Sequence, residues 1–316
     1  EEALPYYTEA LEGRRRVLGD DHPSTLVSVN NMGFLLESMG KVEEALPYLT
    51  ETLEGNRRVL GDDHPSTLSS VSNMGYLLLS MGKFEEALPY ITEALEGKRR
   101  VRGDDHLDTL VSVNNMGALL ASMGKVEEAL PYYTEALEGR RRVLGDDHAK
   151  TIQSRTDLRV FYEQWSSNLL EEHGEDHPLT LTTQRNRAVF LASSGGAEES
   201  EALLLDCLDR RLGTSGEEHP GTLQLFHDLA TLYSQQGRTD EAEGMYLECL
   251  ALREAALGES DPMTLESLEG LVQLYADNER YKEAAPLAKR LVALSPEDSP
   301  ALTGRQELLQ LIETNL

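Results

Sequence analysis

The chain is poor in cysteine, with 2 in 316 residues, and poor in aromatic side chains, which make up 6% of it. Two thiols cannot frame a disulfide-built domain, and left free they point to a reducing compartment, so a cytoplasmic location is expected. With 1 Trp and 5 Phe, helices must pack through Leu, Ala, Val and Met. Basic residues are scarce too: 29 Lys and Arg face 56 Asp and Glu, a formal charge of −27. That imbalance opposes binding to nucleic acid phosphates and anionic lipid heads, and it favours basic or neutral partners. No apolar run approaches the roughly 20 residues that a membrane span needs. There is no Gly-rich phosphate loop, no Cys with a plausible partner His and no His-Glu-x-x-His helix. Neither catalysis nor a cofactor nor a metal is expected.

What the chain has is repetition. Residues 19–60 read GDDHPSTLVSVNNMGFLLESMGKVEEALPYLTETLEGNRRVL, and residues 61–102 and 103–144 are near copies, a period of 42 residues. Such self-similarity marks a solenoid, because one small unit cannot bury its apolar face alone and must stack on its neighbours. Each unit predicts two helices. Pro23 suits a first helical turn, where its missing N–H has no partner to lose. Leu26, Val29, Met32, Gly33 and Leu36 then share one face of a helix that ends at Gly40. A second helix starts near Val42, with Glu43 and Glu44 in its first turn and Arg57 and Arg58 in its last, both favourable to the helix dipole. Ala45, Leu46, Leu49 and Leu53 form its apolar stripe. Gly33 and Ala45 let the two helices cross closely, and their copies are Gly75 and Ala87, then Gly117 and Ala129.

These residues resemble the tetratricopeptide repeat. Gly33, Gly75 and Gly117 stand at that motif's eighth position, and Ala45, Ala87 and Ala129 at its twentieth. DHPSTLVSVNNMG and MGKVEEALPYYTEALEGRRRVLG are similar to the longer kinesin light chain version almost end to end. The resemblance covers nearly the whole chain and implies an all-α fold, a right-handed α-α superhelix of antiparallel helix pairs. It implies a non-catalytic scaffold that holds a peptide or helix of another protein in a concave groove. Arrays of this family are also found as sensor or autoinhibitory arms of larger signalling proteins, joined to caspase-like peptidases or signalling NTPases. Self-association stays open as well.

Comparing the copies locates the candidate groove. Units one and two differ at nine positions, and four lie in the first helix: Val27/Ser69, Asn30/Ser72, Phe34/Tyr76 and Glu37/Leu79. Spacings of three, four and three place them on one stripe. Unit three carries Val111, Asn114, Ala118 and Ala121 there. The resemblance implies that this stripe lines the groove; drift on an exposed face is the alternative, since surface changes cost little. Asn30, Asn73, Asn114 and Asn115 are suited to holding a peptide backbone, because an amide both donates and accepts, although Asn73 and Asn115 have the option of pointing between helices. Phe34 and Tyr76 add apolar contact.

Three segments are expected: an array over residues 1–148 that opens mid-repeat, a linking helix over 149–173, and a diverged array over 174–316. Residues 1–18 match the second helix of a unit, without a first. After Gly145 the next turn comes at Gly174, 29 residues on, with Arg159 where a small residue belongs. The stretch between lacks Gly and Pro and carries Leu158, Phe161, Trp165 and Leu169 at helical spacing, which predicts one long helix with Trp165 packed inside. The period returns at Gly174, Gly216 and Gly258, where Arg185, His227 and Glu269 replace Asn30 and bring charge to the stripe. Val272 breaks the small-residue rule and predicts looser packing. Residues 299–315 read as a cap with Leu302, Leu308, Leu309 and Ile312 inward and Arg305, Glu307 and Glu313 toward water.

Three other patterns imitate chemistry. Asp20, Asp21 and His22, with their copies, look like metal ligands, but a group repeated with every unit belongs to the unit, where carboxylates satisfy a helix start. Arg14-Arg15-Arg16, Arg57-Arg58, the Lys98 to Arg102 cluster and Arg140-Arg141-Arg142 read as paired with the Asp-rich turns that follow. Cys207 and Cys249 are one period apart and read as small packing residues, too distant for a disulfide.

Overall fold

The structure, a computed structural model, describes residues 3–316. Fifteen helices and no strand are found among the described residues. First comes α1 (Leu4–Leu18), followed by the pairs α2 (Pro23–Ser38) with α3 (Val42–Leu60), α4 (Pro65–Ser80) with α5 (Phe84–Arg102), and α6 (Leu107–Ser122) with α7 (Val126–Leu144). A single helix, α8 (Ala149–His173), comes next. The second series pairs α9 (Pro178–Ser193) with α10 (Ala197–Ser215), α11 (Pro220–Gln235) with α12 (Thr239–Leu257), and α13 (Pro262–Asp277) with α14 (Tyr281–Leu294), before α15 (Leu302–Thr314). The helix start expected at Glu1 lies outside the described residues.

The chain divides into two compact units, Glu1–Phe161 and Tyr162–Leu316, and the division falls inside α8. In each unit a second helix packs on its own first helix and on the first helix of the next pair. Each unit is therefore a solenoid, held by neighbour contacts in place of one central core.

Small residues set the spacing. A Cβ on Gly33 would stand 2.7 Å from Leu49 Cδ2, and one on Gly75 2.6 Å from Ile91 Cγ1. Ala45, Ala87 and Ala129 are fully buried opposite them. A second close approach was not read from the sequence: Leu26, Leu68 and Leu110 press into Gly55, Gly97 and Gly139. Val272 sits where a small residue belongs and is itself fully buried.

The helix starts correct one expectation. The cap is His22, whose Nδ1 accepts the Ser24 N–H at 3.1 Å. His64, His106, His148, His177 and His219 repeat this bond, and Asp261 takes the role for α13. His22 has the extended backbone of a cap residue, so its own side chain reaches the free N–H two residues on. Asp20 and Asp21 lie outside the cap and turn to arginines instead. Asp20 lies 3.3 Å from Arg15 Nε, and Asp21 pairs with Arg58. No group of three His, Cys, Asp or Glu side chains among the described residues is placed to hold a metal ion.

Each basic cluster splits three ways, because successive helical residues point about 100° apart. Arg57 Nη2 meets Glu93 of the next second helix at 2.6 Å and its Nε lies 3.3 Å from Asp62. Arg15 to Glu51 and Arg99 to Glu135 repeat the bond. Arg58, Arg100 and Arg142 reach back to Asp21, Asp63 and Asp105. The pairs that reach back lie in solvent and are screened, so they hold the fold together weakly. The remaining member, Lys98 or Arg140, turns inward and is buried.

In α8, Leu158, Phe161, Trp165 and Leu169 are buried and Arg159 is exposed. Phe161 packs on Tyr133 with ring centroids 5.0 Å apart, and Trp165 stacks on Tyr162 at 6.4 Å. At the other end Ile312 is fully buried, and Arg305, expected to face water, is 8% exposed. Its guanidinium donates to Ser295 Oγ and to Glu269 Oε2, both at 2.9 Å, which compensates its burial. Cys207 and Cys249 are buried free thiols. Burial pushes the Cys207 thiol up to about 11, so it is no nucleophile near neutral pH.

Candidate functional site

The stripe of differing residues runs along the first helices. Val27, Phe34 and Tyr76 are 55%, 40% and 48% exposed, large apolar side chains left in solvent. Ser69 is exposed too, while Asn30, Glu37, Leu79, Val111, Asn114, Ala118 and Ala121 are half-buried. Ser72 is buried and offers almost no surface. Desolvation raises the Glu37 carboxyl above the usual carboxylate range.

The amides of this stripe are engaged with the neighbouring first helix. Asn73 Nδ2 donates to Asn30 Oδ1 at 3.1 Å, and Asn114 Nδ2 donates to Asp157 Oδ2 at 3.3 Å. Arg185 repeats the pattern in the second unit, with Nη2 donating to Asp228 Oδ1 at 3.1 Å. A residue at the Asn30 position of one first helix thus meets its neighbour on the next. The Asn30 and Asn114 amides are therefore partly used as struts. Between α2 and α4 a cleft of about 200 Å³ opens beside the Asn30–Asn73 strut, lined by Val27, Asn56, Ser69 and Ser70 among others.

The second unit has a cleft of about 310 Å³ that brings Arg185 and His227 together with Asp228, Gln224, Thr231 and Glu266. Charge is present there, as expected, but the Arg185–Asp228 pair is internally neutralised. His227 lies edge-on to Tyr246 with ring centroids 5.7 Å apart, and its Nε2 stands 3.8 Å from Glu266. Burial pulls its imidazole below the usual range, and Arg253 and Arg185 add to this while Glu266 and Asp228 oppose it. The unfolded chain therefore binds the proton first as pH falls. Stability contributed by neutral His227 is complete above about pH 6.5 and is lost as pH drops below it. Thermal melts between pH 7.5 and 5 should show the wild-type chain losing stability relative to His227→Gln. Parallel curves for the two proteins would refute this.

Sequence reasoning missed the inward basic side chains. The available signal was that Asn56, one of the nine differing positions, stands where Arg14, Lys98 and Arg140 recur.

A family model described as tetratricopeptide repeat matches residues 1–54, 25–100, 69–140, 108–158, 179–255 and 235–297. No curated protein matches the chain. Among solved structures, it is similar to a Podosopora anserina putative kinesin light chain with nearly identical TPR-like repeats, at 21% identity and TM-score 0.39, covering 75% of this chain and 98% of that one. BtubC (BKLC) from P. vanneervenii is similar at 18% identity and TM-score 0.38, with 80% and 90% covered. The TPR2AB-domain:pHSP90 complex of yeast Sti1 is similar at 14% identity and TM-score 0.38, with 93% and 99% covered. The overlapping matches follow the 42-residue period through both units, and the chain belongs to the tetratricopeptide repeat family.

Proposed function

We propose that this chain is a non-catalytic scaffold that captures a peptide or helix of another protein on the stripe of its first helices. Tetratricopeptide arrays commonly mediate protein–protein interaction. The observation that carries the finer reading is the coincidence of two independent properties. Val27, Phe34 and Tyr76 are exposed apolar residues, and they occupy positions at which otherwise near-identical units differ. Packing alone gives no reason to vary there. The partner is basic or neutral, because the chain carries −27, and the cytoplasm is the proposed location. No helix among the described residues is long and apolar enough to cross a membrane.

Affinity capture from source lysate tests the reading. The wild-type chain is compared with a variant in which Asn30, Phe34, Tyr76 and Asn114 are all alanine. The variant is expected to lose the recovered partner while keeping its helical content. Recovery of the same proteins by both would contradict the assignment for the first unit.

A further inference from the structure

One internal slot recurs along the solenoid. Five residues before the glycine that ends a second helix, a side chain turns inward and donates to a serine fourteen residues on. The pairs are Arg14 with Ser28, Lys98 with Ser112, Arg140 with Ser154 and Arg253 with Ser267. Arg211 is the exception, because Leu225 stands where the serine would be, and it reaches back to Thr182 at 3.0 Å. Arg253 shows where the charged end goes. It is fully buried, and its guanidinium donates to the Met263 carbonyl, to Glu266 and to Gln224 as well as to Ser267.

Asn56 holds this position between α2 and α4. Its amide reaches Ser70 Oγ at 2.8 Å and the Ser66 carbonyl at 3.5 Å, the counterparts of the two acceptors that Arg140 meets, and the cleft of about 200 Å³ lies beyond it. Val27, Ser66, Ser69 and Ser70 line that cleft. They are the repeat counterparts of Gln224, Met263, Glu266 and Ser267, the residues gathered around the Arg253 guanidinium. This repeat therefore keeps the serine hydroxyl and the backbone carbonyl of the slot, has Val27 and Ser69 in place of Gln224 and Glu266, and lacks the cation.

The last hairpin shows that the cation can come from elsewhere. Ser295 stands one period after Arg253, and there Arg305 of α15 enters, 8% exposed, to donate to Ser295 Oγ at 2.9 Å. We propose that the cleft between α2 and α4 receives one long cationic side chain, Arg or Lys, of a partner protein. That side chain takes the place which the chain fills for itself in other repeats. The Ser66 carbonyl and the Ser69 and Ser70 hydroxyls accept its N–H groups, Val27 packs on its methylenes, and the negative field of the chain favours its approach. The proposal rests on the first-helix stripe being the docking face and names one residue of what docks.

The test is a nuclear magnetic resonance titration of the whole chain with N-acetyl-arginine methylamide, against its uncharged isostere N-acetyl-citrulline methylamide. The arginine probe should shift the side-chain amide signals of Asn30, Asn56 and Asn73, and citrulline should bind about tenfold more weakly, because the cleft is open to solvent, so the guanidinium keeps hydration that the buried Lys98 ammonium loses, and charge-assisted bonds are the stronger kind. Asn56→Arg and Asn56→Lys, which recreate the Arg140 and Lys98 arrangements, should abolish the response at Asn30 and Asn73. Equal binding of citrulline, no response at millimolar probe, or binding that survives both substitutions overturns the proposal. Should either variant fail to fold, the preference of the wild-type chain for arginine decides alone. A partner protein lost on truncating Phe34 and Tyr76 but retained by Asn56→Arg ends the cation slot and leaves the docking face standing.

Discussion

Gly75→Val is expected to destabilise the first unit by about 3 kcal/mol, the upper end of what overpacking costs. The added Cβ would lie 2.6 Å from Ile91 Cγ1 and 3.2 Å from the Ile91 backbone nitrogen. A side chain can rotate away, but the backbone of α5 cannot retreat, because α5 is also packed on α6. Gly82→Ala makes the control. Gly82 has φ +71° and nothing within 4 Å of a built Cβ, so only the left-handed backbone is penalised, at about 1–2 kcal/mol. Urea unfolding followed by circular dichroism should rank the two in that order. Equal losses would mean that the α4–α5 crossing is loose and that the small-residue rule has been misread.

Lys98→Met is expected to stabilise the chain at pH 7. The Lys98 ammonium is 5% exposed, and the hydroxyl of Ser112 at 3.0 Å is its hydrogen-bond partner. Burial pulls its pKa from 10.5 to about 8, partly opposed by Asp108 and reinforced by Arg102. Below pH 8 both folded and unfolded states carry the proton, so the folded state bears the whole cost of the buried charge. Between pH 8 and 10.5 the unfolded chain binds more protons, and stability rises with pH. At about 1.4 kcal/mol per pH unit the cost is a little over 3 kcal/mol, and losing the Ser112 bond returns roughly 1 of this. Lys98→Met should therefore gain about 2 kcal/mol at pH 7, with the advantage shrinking toward pH 10.5. A variant less stable than wild type at pH 7 would show that water or a carboxylate reaches the ammonium.

The helices were legible in the sequence because the repeat states each rule several times. Gly33 with Ala45, Pro23 at a helix start and the uninterrupted stretch after Gly145 each have one structural solution, and the helices fall where those residues place them. Direction was harder to read. Arg140, Arg141 and Arg142 look alike in a row, yet one is buried against Ser154, one meets Asp146 and one reaches Asp105. In Asp20-Asp21-His22 all three side chains are able to cap, and only backbone geometry gives the role to His22. Arg305 read as a solvent-facing residue because its use depends on Ser295, a side chain just past the end of α14. The stripe itself was visible as a pattern of differences, whereas the struts among its amides, such as Asn30 with Asn73, required the stacking of two helices.

That the first helices do the docking is open to one direct measurement, hydrogen–deuterium exchange of the chain with and without the captured partner. Protection should appear in α2, α4 and α6, centred on peptides that contain Phe34 and Tyr76. Protection confined to α3, α5 and α7, with the first helices exchanging as in the free chain, would contradict the account.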